Sequence, residues 1–550
     1  MKKHAKNTHT PGQASARQQF DSAWIVLAIL LIFVIAVRIR LLDIPLERDE
    51  GEYAYMGQLF LHGVPPYTLA YTMKFPGTAL MYAFFMALFG QTLQGVHLGL
   101  LIVNCASIVL VFLIGRRLFS SIAGVVAAIS FAVLSLNQSV LGFAAHATHF
   151  VVLMALGGTV ALLAVLEKDR PALYFPAGVL FGLAFVMKQP GFFFALFGAL
   201  YLFWHQRTRS PRVTGSQQVR NLAFYAGGAL LPLCLVVAWC ALSGSFDRFW
   251  FWTVTYAREY GAMVSWTDAG SRFTRGFSNV VDGFTLLWCL AAGGFVAAVR
   301  DAEKKEQRMF LLLFSAFAFL AFCPGFYFRH HYFATFLPAA ALAAGYGVDR
   351  AWRAGSASAR MPNLRFAGII LFALAVTYGL YSEKAYFFED TPAALSRRYY
   401  SHNPFIESVE IAAFIRANSG ERDTIAVFGS EPQIYFYANR RSATGHIYMY
   451  SMMEDQPFNL TMQKEMIREV EAARPRYIVF TPISGSWLTT PRSNPLIVTW
   501  LSGYTRENYT LVGIADIQSD DTTVYKWHDD AKAYEPRTPR QVLVMERTTM

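Results

Sequence analysis

Charge and cysteine are both scarce in this chain of 550 residues: 15% of positions are charged and five are cysteine. Cys105, Cys234, Cys240, Cys289 and Cys323 all fall inside apolar runs. The polar last third therefore has no thiols for a disulfide framework, and no metal-ligand spacing involves them. That last third also lacks a phosphate loop and a nucleophile elbow. No internal repeat occurs. The basic N-terminus runs into an apolar stretch, Ala23 to Val37, with no small-residue cleavage pattern behind it, so it reads as a retained anchor.

What is present is apolar. Hydrophobic residues make up 54% of the chain and aromatics 15%, with a mean hydropathy of +0.32. This composition is that of an integral membrane protein. The net charge of +11 comes from Lys and Arg gathered in short loops between apolar runs, a topology signal that argues against nucleic acid as a partner.

Apolar runs of spanning length occur near residues 22–41, 96–115, 121–139, 148–166, 172–187, 190–205, 222–242, 283–299, 309–324, 332–348 and 366–381. The segment from Phe75 to Gly90 is shorter and opens with Pro-Gly, which suits an interfacial or re-entrant helix. If it does not span, the basic loops all fall on the side of the N-terminus, as the positive-inside bias requires. The expected architecture is an α-helical polytopic membrane protein of about 11 transmembrane helices with a C-terminal external α/β domain. Its parts are a cytoplasmic tail over 1–21, a membrane domain over 22–381 with its first external loop at 42–95, an α/β domain over 382–528, and a charged, loosely ordered tail over 529–550. Strands are predicted at Thr424–Gly429, Arg476–Thr481, Leu511–Ile517 and Thr522–Trp527, with helices near 404–418 and 461–474.

The external face then carries a dense acidic stretch, ERDEGEYAYMGQLFLHGVPPY, with Glu47, Asp49, Glu50 and Glu52 within six residues. Asp49 with Glu52 has capping-box spacing and could simply start a helix. Capping leaves Glu47 and Glu50 unexplained, and the same face gathers Lys74, Lys188, Arg258, Arg329, His330 and His331. A carboxylate facing several cations beside a bilayer suits a base that removes a proton while an anionic phosphate departs.

The run RDEGEYAYMGQLFLHGVPPY…MKFPG resembles the first external loop of the GT-C glycosyltransferases, a superfamily that includes the protein mannosyltransferases and lipid A aminoarabinose transferases. GRRLF at Gly115–Phe119, KQPG at Lys188–Gly191 and YFRHHYFATFLP from Tyr327 follow in the matching order. The resemblance implies an inverting transfer of a monosaccharide from a polyprenyl-phosphate donor to a hydroxyl of a periplasmic glycan, lipid or protein. It implies a bacterial inner membrane location. Metal dependence is known in the oligosaccharide-transferring branch of the superfamily, but no Asp-x-Asp occurs here to support it, so no cofactor is expected to be required. Asp49 takes the place of the general base and Lys74 that of a donor-phosphate contact; Glu50, grouped with Asp49 at the catalytic centre, is a candidate for supporting the base or positioning the acceptor. Glu52 and Tyr53 join Lys74 as substrate-binding candidates. Burial at the membrane edge is expected to raise the Asp49 pKa.

Other residues carry two readings each. His146 and His149 share a helix face and serve either packing or substrate; two histidines alone make a poor metal site. Lys188 either snorkels at a helix end or meets phosphate. Arg329, His330 and His331 form a candidate donor-phosphate cluster, and Arg258 lies in an aromatic loop, Asp247–Tyr260, suited to interfacial anchoring or sugar stacking. The alternative function is a transporter or lipid flippase. It is disfavoured because the spans are nearly free of charge while polar groups crowd one face. A scaffold role would not need eleven spans.

Overall fold

The computed structural model describes residues 11–166, 168, 170–209, 213–357 and 362–548, with side chains from residue 22 onward. The expected N-terminal tail lies largely outside these residues. Each of the eleven apolar runs is a helix. They are α1 (Pro11–Arg40), α4 (Leu93–Leu118), α5 (Ser121–Leu136), α6 (Ala147–Val165), α7 (Tyr174–Met187), α8 (Phe192–Thr208), α9 (Gly215–Leu242), α11 (Thr285–Arg300), α12 (Lys305–Phe322), α13 (Leu337–Ala357) and α14 (Ala367–Ser382). Three further helices are α2 (Arg48–Leu61), α3 (Gly77–Phe89) and α10 (Trp266–Val281).

Among the described residues, four helices are long and apolar enough to cross a membrane: Ser22–Arg40, Leu93–Leu118, Ala147–Val165 and Gly215–Leu242. A fifth arises if α10 and α11, bent by 111° at their junction, count together. Shorter apolar helices of 10–17 residues pack among them. The chain is a multi-pass membrane protein.

Local signals fix the helix ends near the site. Glu47 has an extended backbone and caps α2: its side chain accepts from the Glu50 amide, and the Glu50 side chain accepts from the Glu47 amide. The box is thus Glu47–Glu50 rather than the expected Asp49–Glu52, because Asp49 already lies inside the helix, where its side chain is released from capping. Thr92 and Ser120 cap α4 and α5 in the ordinary way.

The polar third folds as α15 (Phe405–Ala417), α16 (Gln433–Ala438), α17 (Asn459–Ala473) and α18 (Leu496–Asn508) around a six-stranded mixed sheet. Its strands are β1 (Thr424–Phe428), β2 (Arg441–Ser442), β3 (Tyr477–Phe480), β4 (Tyr509–Ile517), β5 (Thr523–Trp527) and β6 (Gln541–Arg547), in spatial order β2-β1-β3-β6-β4-β5. β1 runs parallel to β2 and β3, and the remaining pairs are antiparallel. The expected loose tail over 529–550 is corrected here. Residues 541–547 enter the sheet between β3 and β4, with Val542 and Val544 fully buried. The short apolar run VLVM within QVLVMER is a strand signal that the surrounding charge obscures.

This domain is clamped onto α2. The Ser442 amide donates to the Tyr55 hydroxyl at 2.7 Å, the Tyr71 amide to the Gly445 carbonyl at 2.6 Å, and the Leu46 amide to the Tyr437 hydroxyl at 2.8 Å. Arg48 donates to the Ser430 carbonyl at 2.5 Å and pairs with buried Glu431 at 3.2 Å. Gly51 permits the approach, because a Cβ there would meet the Gln433 backbone nitrogen at 2.5 Å.

Candidate active site

A helix turns about 100° per residue, so neighbouring carboxylates at the start of α2 face different surroundings. Asp49 and Glu52, three apart, share the face that meets Lys74. The Lys74 Nζ donates to Asp49 Oδ1 at 2.8 Å and to Glu52 Oε2 at 2.5 Å. It also lies 4.6 Å from the centre of the Tyr53 ring. Glu50 faces the opposite way, its Oε1 accepting from the Ala145 amide at 2.6 Å and lying 3.1 Å from His97 Nε2 on α4. Glu50 is 1% exposed and lines neither cavity at the site. The expected catalytic placement is therefore corrected: Glu50 anchors α2 to its neighbours.

Lys74 is presented by the loop between α2 and α3. Tyr67 donates its hydroxyl to the Lys74 carbonyl at 2.9 Å, and Gln189 donates to the Met73 carbonyl at 2.6 Å. The Thr78 hydroxyl binds the Met187 carbonyl at 2.9 Å. A Cβ at Gly77 would meet the Val186 carbonyl oxygen at 2.4 Å. The Pro-Gly of MKFPG thus lets this loop lie directly on the KQPG turn, bringing Lys74 and Lys188 to one place.

Asp49, Glu52, Lys74, Lys188, Arg329 and His331 line a cavity of about 260 Å³. Its aromatic wall includes Tyr71, Trp252, Tyr256, Tyr260, Tyr327 and Tyr332, so the aromatic loop does reach the site. The C-terminal domain supplies Tyr448, Tyr450, Ser451 and Glu454. Tyr448 donates its hydroxyl to Asp49 Oδ1 at 3.1 Å, and Tyr256 donates to Glu454 at 2.6 Å. The sequence reading missed these C-terminal residues, and no local pattern marks them.

Several expected residues stand elsewhere. Tyr53 places its ring beside the Lys74 ammonium and packs at a tilt against Tyr82, without lining either cavity. His149 is buried in α6 and lines neither cavity, whereas its helix neighbours Thr148 and Val151 do line the first. Arg258 is corrected: its side chain is 86% exposed, beside Glu259, because the turn that brings Tyr256 and Tyr260 inward points residue 258 out. His330 lines a second cavity with Asp49.

The electrostatics set the chemistry. Burial by itself would push the Asp49 carboxyl up, but Lys74, His146 and His331 outweigh it and hold the group well below the usual carboxylate range. This reverses the expected rise. Lys74 is the decisive partner, since burial lowers His146 to about 4 and holds His331 well below an ordinary imidazole. Burial would lower Lys74, yet Asp49 and Glu52 raise it well above a free amine. Among the described residues Lys188 has no carboxylate in contact, and burial lowers it to about 7; its Nζ sits 4.0 Å over the Tyr332 ring. Burial also raises Glu52.

Asp49, His146 and His331 could together hold a metal ion, their ligand atoms lying within 4.8 Å of one another. Both ring nitrogens of buried His146 lack a hydrogen-bond partner among the described residues, and Nδ1 is 3.9 Å from Asp49 Oδ2. A cation there would compete with Lys74 for Asp49. The imidazoles of His146 and His331 stack at 4.0 Å.

The helical body, the acidic helix α2 and the clamped α/β domain form a multi-pass membrane protein whose fold is similar to that of solved GT-C enzymes. A family model described as dolichyl-phosphate-mannose-protein mannosyltransferase matches residues 73–239. The chain is similar in structure to ArnT from Cupriavidus metallidurans bound to undecaprenyl phosphate, with a TM-score of 0.58 and 15% identity over 95% of this chain and 98% of that one. It is also similar to the oligosaccharyltransferase of Archaeoglobus fulgidus tethered with an acceptor peptide. There the TM-score is 0.53 and the identity 13%, over 94% of this chain and 76% of that one. The archaeal oligosaccharyltransferase AglB from Archaeoglobus fulgidus, in complex with an inhibitory peptide and a dolichol-phosphate, is similar at a TM-score of 0.53 and 14% identity, over 94% of this chain and 75% of that one. Comparison with curated protein sequences finds no match. The likeness to GT-C glycosyltransferases read from the first external loop is thus shown.

Proposed function

We propose that this protein is an inverting glycosyltransferase that moves a monosaccharide from a polyprenyl-phosphate donor to an acceptor hydroxyl at the periplasmic face of a bacterial inner membrane. The eleven apolar helices are its spans, with the N-terminus cytoplasmic. The observation that carries this reading is a single cavity with one low-pKa carboxylate, Asp49, amid Lys74, Lys188 and Arg329. The solved relatives that hold undecaprenyl phosphate or dolichol-phosphate support the lipid carrier.

In the proposed step the acceptor oxygen attacks the anomeric carbon from the face opposite the phosphate. The bond from that carbon to the phosphate oxygen breaks, and its electron pair leaves with the phosphate. The acceptor's proton passes to Asp49, and the lysines and Arg329 stabilise the departing charge. A donor phosphate that shares Lys74 also weakens the hold of Lys74 on Asp49, so the carboxylate becomes a better base once donor is bound. The C-terminal domain closes the sugar side through Tyr448, Tyr450 and Glu454.

The test is turnover of lipid-linked sugar by purified Asp49→Asn. The amide keeps an acceptor for Tyr448, and Lys74 keeps Glu52, so the fold survives. Loss of a general base predicts a drop of about 10²–10⁴ in kcat. Near-normal transfer by the folded variant removes Asp49 from the mechanism.

A further inference from the structure

A second cavity, of about 480 Å³, shares Asp49, Tyr327, Arg329, His331 and Tyr450 with the first but is not lined by Lys74 or Lys188. Asp49 therefore stands between two chambers. If donor occupies the chamber with the lysines, the acceptor hydroxyl must reach Asp49 from the other.

That second chamber has a distinctive wall. Arg272, Arg275 and Asn279 all line it. Their spacing of three, four and seven places them on one face of α10. Both arginines are exposed, and among the described residues neither pairs with a carboxylate. The Asn279 amide lies 3.2 Å from His330 Nε2, which lines the same space. The negative groups present are already committed. Asp49 is paired to Lys74, and Glu47 is buried, with its carboxyl pushed well above the usual range by burial and by the neighbouring Asp49 and Glu50. Arg48 is likewise occupied by Glu431. Apart from Arg329, which lines both chambers and serves the donor phosphate in the reading above, the chamber is left with two guanidinium groups one helical turn apart that no carboxylate among the described residues engages.

We propose that the acceptor carries a phosphate group, held by Arg272 and Arg275, which sets its reacting hydroxyl against Asp49. A neutral hydroxyl needs no such charge. A carboxylate is satisfied by one bidentate arginine, whereas a phosphate has enough oxygens for two guanidinium forks and the Asn279 amide besides. The inference rests on the transfer reading given above and narrows its acceptor class.

The test uses the full-length protein in phosphatidylcholine nanodiscs, with glucose 6-phosphate and methyl glucoside as probes in equilibrium titrations. Glucose 6-phosphate, which lacks the anomeric phosphate of the donor, should bind at least about tenfold more tightly, two charge-assisted contacts being lost in the neutral sugar. Arg272→Gln/Arg275→Gln should abolish that preference, while Arg258→Gln, whose side chain points away from both chambers, leaves it within about twofold. Because both arginines are exposed, the double variant should melt as the parent does. Equal binding of the two probes, or an unaffected double variant, overturns the proposal. The anionic group could instead be a bilayer headgroup. In that case phosphatidylglycerol nanodiscs compete the preference away, and this outcome also overturns the acceptor assignment. Binding needs no turnover, so failure here leaves the Asp49→Asn test of glycosyl transfer standing, and failure there is read separately.

Discussion

Replacing Lys74 with methionine separates the structural from the chemical work of the buried triad. The Lys74 ammonium is 2.8 Å from Asp49 and 2.5 Å from Glu52, and Glu52 is 2% exposed. At 2.8 Å and an effective dielectric of about 20, the Coulomb attraction to Asp49 is about 6 kcal/mol before desolvation is subtracted. Breaking a buried pair from one side costs about 3–5 kcal/mol, because the remaining charge is stranded. Lys74→Met should therefore lower the melting temperature and raise the Asp49 pKa, moving the acid limb of the pH–rate profile upward. Losing one electrostatic contact to the departing phosphate should cost about 10²–10³ in kcat. The second substitution in Lys74→Met/Glu52→Gln removes a stranded carboxylate and should recover much of the stability but little of the activity. Donor turnover and thermal unfolding in the same detergent measure both. If the double variant regains both stability and turnover, Lys74 is only a structural counter-ion and the phosphate role fails.

Glu50→Ala should cost about 1–3 kcal/mol by orphaning the Ala145 amide and breaking the α2 cap, while kcat of the folded protein stays within about threefold; a drop of two decades would return Glu50 to the chemistry. Lys188 is charged below about pH 7 and neutral above it, so donor KM should rise between pH 6 and 8, and Lys188→Arg, charged throughout, should flatten that rise. Gly51→Val would drive a side chain into the Gln433 backbone, so limited proteolysis should release the C-terminal domain and turnover should fall even though every cavity-lining residue is intact.

The sequence by itself determined the helices and most strands. A run of apolar residues is a local property, and each of the eleven became a helix; the short apolar runs in TIAVF and YIVF, rich in β-branched residues, likewise became β1 and β3. The acidic stretch, MKFPG and KQPG also singled out polar residues, and the fold brings Asp49, Glu52, Lys74 and Lys188 from them to one cavity. What the tertiary structure decided was direction. Asp49 and Glu50 are adjacent in sequence, yet one lines a cavity and the other is buried against His97. Which face of α2 met Lys74 depended on where α3, α4 and the C-terminal domain packed. The same applies to Arg258, turned outward beside inward tyrosines, and to Tyr448, 399 positions from the aspartate it touches. Strand β6 was hidden for the opposite reason: its charged flanks masked a four-residue apolar run whose value appears only between β3 and β4. Helix formation is settled within a few turns of chain, but the azimuth of a side chain is settled by partners that the local sequence does not name.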